Sequence, residues 1–447
     1  MYPWHQALKS WAKDAGFQID ALGLVTLLGA EEMDRSIGRL MPSAYFDYLP
    51  LLGAFVVAGD RIKERKLGYT LYNISAGIVT TELSGWFSRW LRAQEFHKIR
   101  SKVIWEIVDR PPRRKIFSVG LFLISLPVHG MLLAMTVLAA DWWGFANVLA
   151  MIFSVIMRCV QVAENRSGIS ENIRRAEEDA NQSLRKYEAA VEAMQRRQME
   201  PGCENIKVPS RPQAKDLVKL IVVTEDSKVV TLLAPAFLVK PAFTAAPHIP
   251  NPRFYMFCRI VGWIAFAVHV ISIGMAALYT QICTIVLILS ATVLTAYKVG
   301  SEDSQLSSDI RRKWNHVDYK EKEWSCWVTS RLKATVSSYP AEYTEWEPVQ
   351  KEEKTLGPKE IKTQIFSWPW SRTTMTDLEH SSPKRTSYPV QERRQDLFAW
   401  LDLTSEEDER MIAWHMIPHS QEWKDVYLEK KEIHRRRTRA SQTTNST

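Results

Sequence analysis

Apolar residues along this chain gather into two blocks, Ile116–Met157 and Ile260–Tyr297, with long polar stretches between and after them. The first block carries one formal charge before Arg158, at Asp141, and the second carries none. Stretches this long and this poor in charge predict membrane helices rather than a soluble core. Ile116–Ala140 runs 25 residues without a charge, about 37 Å as a helix and enough to cross a bilayer with some tilt. Trp142–Met157 reaches spanning length if it continues to Val160 with Arg158 snorkelling to the interface. Asp141-Trp142-Trp143 then forms the outer turn, its charge in water and its indoles at headgroup depth. One helix over all of Ile260–Tyr297 would be about 57 Å long, roughly twice the hydrocarbon thickness. That block is expected to fold back near Leu278–Gln281, giving spans over about Phe254–Leu278 and Thr280–Tyr297.

Basic residues orient these spans. Arg113, Arg114 and Lys115 precede the first, and Arg158 and Arg166 follow the second. Arg253 and Arg259 lead into the third, Lys298 follows the fourth, and the two hairpin turns hold neither Lys nor Arg. The positive-inside rule then puts both termini and the central segment in the cytosol. In the N-terminal third, Tyr48–Gly59 and Leu67–Thr81 are apolar but shorter than a span. If they crossed, the basic stretch Arg89–Lys115 would lie outside, so they read as interfacial or core helices.

The polar segments carry their own periodicities. Ile169, Ile173, Ala176, Ala180, Leu184, Tyr187, Val191 and Met194 recur at three- and four-residue steps, predicting a long amphipathic helix that ends before Pro201-Gly202. A self-pairing coiled coil is one use of that seam, but two of its positions are alanine, which favours packing against the same chain. Leu217–Thr224 and Val229–Leu233 flank Glu225–Lys228 as a β-hairpin. Beyond Lys298, tryptophans at 314, 324, 327, 346, 368 and 370 read as amphipathic segments at a bilayer surface. Lys351–Arg394 has the composition of a linker. Thr404 and Glu407 have capping-box spacing ahead of an amphipathic helix, which Pro418 stops.

Composition narrows the chemistry. The net charge of +8 over 447 residues, beside apolar spans, points to anionic lipid at the cytosolic face rather than nucleic acid. The five cysteines, Cys159, Cys203, Cys258, Cys283 and Cys326, have neither disulfide nor zinc spacing. No phosphate-loop, dinucleotide, zinc-protease or nucleophile-elbow motif occurs. The spans hold no Asp or Glu, which argues against ion-coupled transport but not against a passive pore. His129 and His269 lie within spans one and three, each after a valine and six residues before a methionine, as in a parallel repeat. Two imidazoles at membrane depth are candidate axial ligands for haem b. The plainer reading has each bonding a neighbouring hydroxyl or carbonyl, such as Ser125 or Ser272.

Asp141–Asn147, Arg259–Ile282 and Ala399–His419 resemble a group of uncharacterised multi-spanning integral membrane proteins of filamentous fungi. The resemblance implies a fungal endomembrane or plasma-membrane setting and brings no activity, cofactor or site residue. The expected fold is an all-α membrane protein with four transmembrane helices in two hairpins, amphipathic cytosolic helices and a small β-hairpin. Its parts are an N-terminal region (1–114), hairpin one (115–163), a cytosolic helix and β-hairpin (164–252), hairpin two (253–299), a linker (300–394) and a C-terminal helix with a basic tail (395–447). The expected function is a non-enzymatic membrane scaffold or adaptor whose partners are the bilayer, anionic lipids and proteins on its cytosolic arms. An oligomeric passive channel or transport accessory, and a bis-histidine haem redox protein, are the alternatives.

Overall fold

A computed structural model describes residues 34–41, 49–51, 58–59, 61–94, 96, 99–109, 116–198, 211–298, 301, 324–338 and 390–444. Most of Tyr48–Gly59, nearly all of Lys351–Arg394, and Trp314, Trp346, Trp368 and Trp370 lie outside these residues. The chain divides into two compact units, Met1–Ser338 and Tyr339–Thr447.

The first unit is built on a seven-stranded mixed sheet in the order β2-β1-β4-β5-β3-β7-β6. Its strands are β1 (Thr70–Asn73), β2 (Ile78–Thr80), β3 (Ser101–Ile107), β4 (Leu217–Val223), β5 (Val229–Pro235), β6 (Trp324–Trp327) and β7 (Leu332–Ser338). All neighbours run antiparallel except β3 and β5, which are parallel. Local chemistry sets the hairpins. The Asn73 side chain accepts the Ala76 N–H at 3.0 Å, an Asx turn that closes with Gly77 at φ +72. The Thr224 hydroxyl accepts the Lys228 N–H at 3.2 Å between β4 and β5. In β3, alternation places Ser101, Val103 and Trp105 on the buried face.

That face is covered by α1 (Gly85–Ala93), whose Trp86, Phe87 and Trp90 are fully buried against Trp105 and Phe243. The Phe87 and Phe243 rings lie 4.5 Å apart, and those of Trp90 and Trp105 4.9 Å apart. Phe243 is delivered by a single π-helical turn, Val239–Thr244. The Ser84 N–H donates to its carbonyl at 2.7 Å. Beside this core, the Arg89 guanidinium donates to Asp34 at 2.9 Å and to the carbonyls of Glu64 and Gly85.

The membrane-side elements are α2 (Ile116–Leu138), α3 (Trp142–Gln198), α4 (Pro252–Met275) and α5 (Leu278–Ala296). Among the described residues, three helices are long and apolar enough to cross a membrane: α3, α4 and α5. In α2 the described side chains begin at Pro127, and Pro127–Leu138 is a shorter apolar helix. Large apolar side chains such as Met131, Ile260, Ile264, Ile271 and Val286 point outward from these helices. Leu132, Val148, Met151 and Ile288 pack α2, α3 and α5 together.

The expected all-α architecture with four spans is therefore corrected on two counts. The fold is mixed α/β, and among the described residues three helices rather than four meet the length and composition of a span. The small β-hairpin is the centre of a seven-stranded sheet, and Leu67–Thr81, read as helical, forms the β1–β2 hairpin instead. Short apolar runs do not distinguish strand from helix by periodicity. The amphipathic seam is no self-pairing coiled coil along its upper part, because Ile169 and Ile173 enter the core beneath the sheet. Span and amphipathic segment are one 57-residue helix, α3.

The second unit comprises α6 (Val390–Leu401), α7 (Ser405–Ala413) and α8 (Gln421–Thr444). Thr404 and Glu407 form the expected capping box. The Asp408 carboxylate accepts from the Tyr427 hydroxyl at 2.6 Å and from Lys431 at 2.8 Å. Phe398 and Trp423 join α6 to α8, and Lys430 and Arg435 pair with Asp396 and Asp402.

Candidate functional site

The helices α3 and α4 pack along most of the length of α4, and the face α3 turns inward is polar. Asn147, Met151, Ser154, Arg158, Gln161, Asn165, Gly168 and Asn172 follow one another at alternating four- and three-residue steps, one stripe of a helix. Asn147, Gln161 and Asn165 are fully buried, and Arg158 is 3% exposed. The facing stripe of α4 is Tyr255, Cys258, Gly262, Ala265, His269 and Ser272, also buried. Because α3 begins where α4 ends, the two stripes meet antiparallel.

At the end away from the sheet, Asp141 accepts the Gly144 N–H at 2.9 Å and so caps α3. Its other oxygen accepts the Ala277 N–H at 3.0 Å and the Thr280 hydroxyl at 2.7 Å, at the start of α5. One level inward, the Asn147 side chain donates to the Thr284 hydroxyl at 3.0 Å, a fully buried bond from α3 to α5. The ring of His269 hydrogen-bonds the Asn147 backbone. His269 Nδ1 is buried with no hydrogen-bond partner among the described residues.

His269 also lines a small, partly open cavity of about 20 Å³, together with Pro50, Leu51, Met151, Ser154, Phe266 and Ile288. This is room for one water-sized group. His129 is also buried, on α2, but it does not line this cavity. Ser272, a candidate partner for His269, instead donates to the Val268 and His269 carbonyls of its own helix. The side chain of Ser125 lies outside the described residues. Among the described residues, no group of three or more His, Cys, Asp or Glu side chains is placed to hold a metal ion.

At the sheet end the seam grips backbone. Arg158 donates to the Leu49 carbonyl at 2.8 Å, so it is held inside the protein and does not snorkel outward. Arg166 donates to the Leu40 and Met41 carbonyls. The Asn165 amide donates to the Ala58 carbonyl at 2.9 Å and to the Tyr255 hydroxyl at 3.2 Å, while Tyr255 donates to the Gly59 carbonyl at 2.7 Å. Neither amide atom of Gln161, nor Asn165 Oδ1, nor Glu164 Oε2 has a partner among the described residues. Below, Gly168 leaves no room for a side chain, because a Cβ there would collide with the His248 carbonyl.

Of the residues singled out in the sequence, Asp141 and His269 belong to this seam, whereas His129 stands outside its cavity. Asn147, Gln161, Asn165 and Tyr255 were passed over. Their signal is the seven-residue recurrence of Asn147, Ser154 and Gln161 within an apolar helix, a spacing that average hydropathy conceals. Comparison with known proteins finds no matching family model, no matching curated protein and no matching solved structure.

Proposed function

We propose that this is an integral membrane scaffold that holds its sheet unit at the cytosolic face of a bilayer and offers the free end of α3 to protein partners. The observation that carries this reading is the continuity of α3, which leaves the apolar layer, passes under the sheet through Ile169 and Ile173, and runs on to Gln198. A helix without a break is a rigid mount. Beside the sheet its solvent face is charged, and Glu171 accepts from Arg174 and Arg175 at 2.7 and 2.8 Å. Arg158, Arg166, Arg253, Arg259 and Lys298 all lie toward the sheet end, and the outer turns contain neither Lys nor Arg. That asymmetry supports cytosolic termini and contact with anionic lipid. A fungal endomembrane or plasma membrane is the proposed setting.

The test is a photocrosslinking amino acid at Glu188, an exposed site on distal α3, activated in native membranes. A discrete adduct with one polypeptide is the expected result; adducts with lipid or solvent alone overturn the scaffold reading. Trp142→Cys should label only from the non-cytosolic side, and cytosolic labelling overturns the orientation.

A second reading, a passive pathway along the α3–α4 seam, is favoured by the water-sized cavity beside His269. Proteoliposomes would show solute flux that Asn147→Leu reduces, and tight vesicles would dispose of it.

A further inference from the structure

Positive charge in the C-terminal unit gathers at one place, the later part of α8. We propose that the arginine run Arg435–Arg439 docks on anionic headgroups of the cytosolic leaflet. The inference rests on the membrane reading above and adds to it a contact made by the second unit.

The contacts along α8 mark where its packing against α6 ends. Asp396 takes Lys430, Asp408 takes Lys431 and Asp402 takes Arg435, at 2.7, 2.8 and 2.7 Å. The Trp400 and His434 rings lie 6.2 Å apart. These contacts reach Arg435 at the corner where α6 has just ended, after Leu401. From there α8 runs on to Thr444, about two and a half turns more. That extension holds Arg436, Arg437 and Arg439, and the sequence has no Asp or Glu after Glu432.

Two intrahelical reasons for such a run fall short. Cations favour a helix C-terminus through the macrodipole, an effect that fades beyond the last turn. The last turn of α8 carries no basic residue. Cations also pair with acids three or four positions away. Glu432 serves Arg436 in that way, at 3.2 Å. Around Arg437 those positions are Ile433, His434, Ala440 and Ser441, and around Arg439 they are Arg435, Arg436, Gln442 and Thr443. Like charges at this spacing repel, so the run works against its own helix until an anion is laid beside it.

A phosphate surface supplies that anion. Guanidinium groups fork onto phosphate oxygens, and clusters of about four or more basic residues on a cytosolic helix suit anionic lipid. Nucleic acid offers phosphate too, but single strands are held by bases stacked on aromatic rings. No Phe, Trp or Tyr follows Tyr427. The run also has no apolar side chain to sink among acyl chains, so the contact stays at headgroup depth and depends on salt.

Full-length protein carrying a fluorescent amino acid at Ser441 is reconstituted into vesicles with a headgroup-labelled acceptor lipid. Energy transfer then reports the approach of α8 to the bilayer. Transfer should be high with phosphatidylserine present, and at least about fivefold lower in phosphatidylcholine alone or at about 1 M salt. The triple variant Arg436→Gln, Arg437→Gln, Arg439→Gln should lose it in the same vesicles, with Arg435 kept to hold Asp402. Lys424→Gln, early on α8, should leave it unchanged; an equal loss there overturns the assignment to the run. Equal transfer in both lipids, or undiminished transfer in the triple variant, overturns the proposal. Displacement from phosphatidylserine vesicles by RNA at equal phosphate concentration would make nucleic acid the partner and overturns it too. If circular dichroism shows that the triple variant loses helix, the lipid and salt dependence of the unaltered protein decides alone. Release of the unaltered protein from membranes by alkaline carbonate would instead show the membrane reading itself to be wrong.

Discussion

Asp141 and Thr280 are joined by a 2.7 Å hydrogen bond between a carboxylate on the α2–α3 turn and a hydroxyl in the first turn of α5. The same carboxylate caps α3 through Gly144, so one side chain closes the starts of two helices. Asp141→Ala should cost about 1–2 kcal/mol, the usual worth of a lost cap. Gly144→Ala should cost more, because its Cβ would press on the Asp141 carboxylate and the Thr280 methyl. Thermal inactivation in detergent, followed by size-exclusion chromatography, ranks the two variants.

Asn147 and Thr284 form a buried bond between α3 and α5. Polar pairs in membranes are modest, about 0.6 kcal/mol on average and at most about 1.7. A double-mutant cycle of Asn147→Ala and Thr284→Val should give a coupling within that range. Zero coupling would mean that the two side chains do not meet.

In the sheet unit, the side chains of Arg89 and Asp34 are 1% and 8% exposed and pair at 2.9 Å. Asp34→Ala strands a buried guanidinium and should destabilise this unit by about 3–5 kcal/mol. Lys66 also contacts Asp34 but is 38% exposed, so Lys66→Ala should cost under about 1 kcal/mol. Urea denaturation followed by the fluorescence of the buried tryptophans compares the pair.

The C-terminal unit should be sensitive to alkali. Burial, and then the hydrogen bond to Asp408, push the Tyr427 phenol well above its ordinary range. A raised folded value means that its stabilisation is complete below about pH 10, where the phenol of the unfolded chain ionises, and is lost as pH rises further. Circular dichroism across that range should show an alkaline loss of helix that is weaker in Tyr427→Phe. A variant with an unchanged alkaline limb would assign the loss to other groups.

Features set by neighbouring residues were legible in the sequence. The amphipathic run within α3, the β4–β5 hairpin and the Thr404–Glu407 box all follow from spacing within a few positions. The break between α4 and α5 falls at Ala276–Ala277, just before the expected turn at Leu278. Features set by distant residues were not legible. Residues of β3 and β7 pair although more than 200 positions apart, as in Trp105 with Ala334, and no local periodicity announces such a partner. Arg158 looked like a snorkelling side chain because its acceptor, the Leu49 carbonyl, lies 109 residues away. The polar seam was visible but averaged out, since single Asn, Ser and Gln residues barely lower the hydropathy of a long apolar window.

At about 1.5 Å per residue, the unbroken α3 is roughly 85 Å long. It has no joint between the bilayer and its free end, so rotation at one end is carried whole to the other. A tilt of about 10° over that length carries the far end sideways by about 15 Å. Helices answer a thicker or thinner bilayer by tilting. On the proposed membrane placement, bilayer thickness would set where Tyr187, Val191 and Met194 stand above the surface.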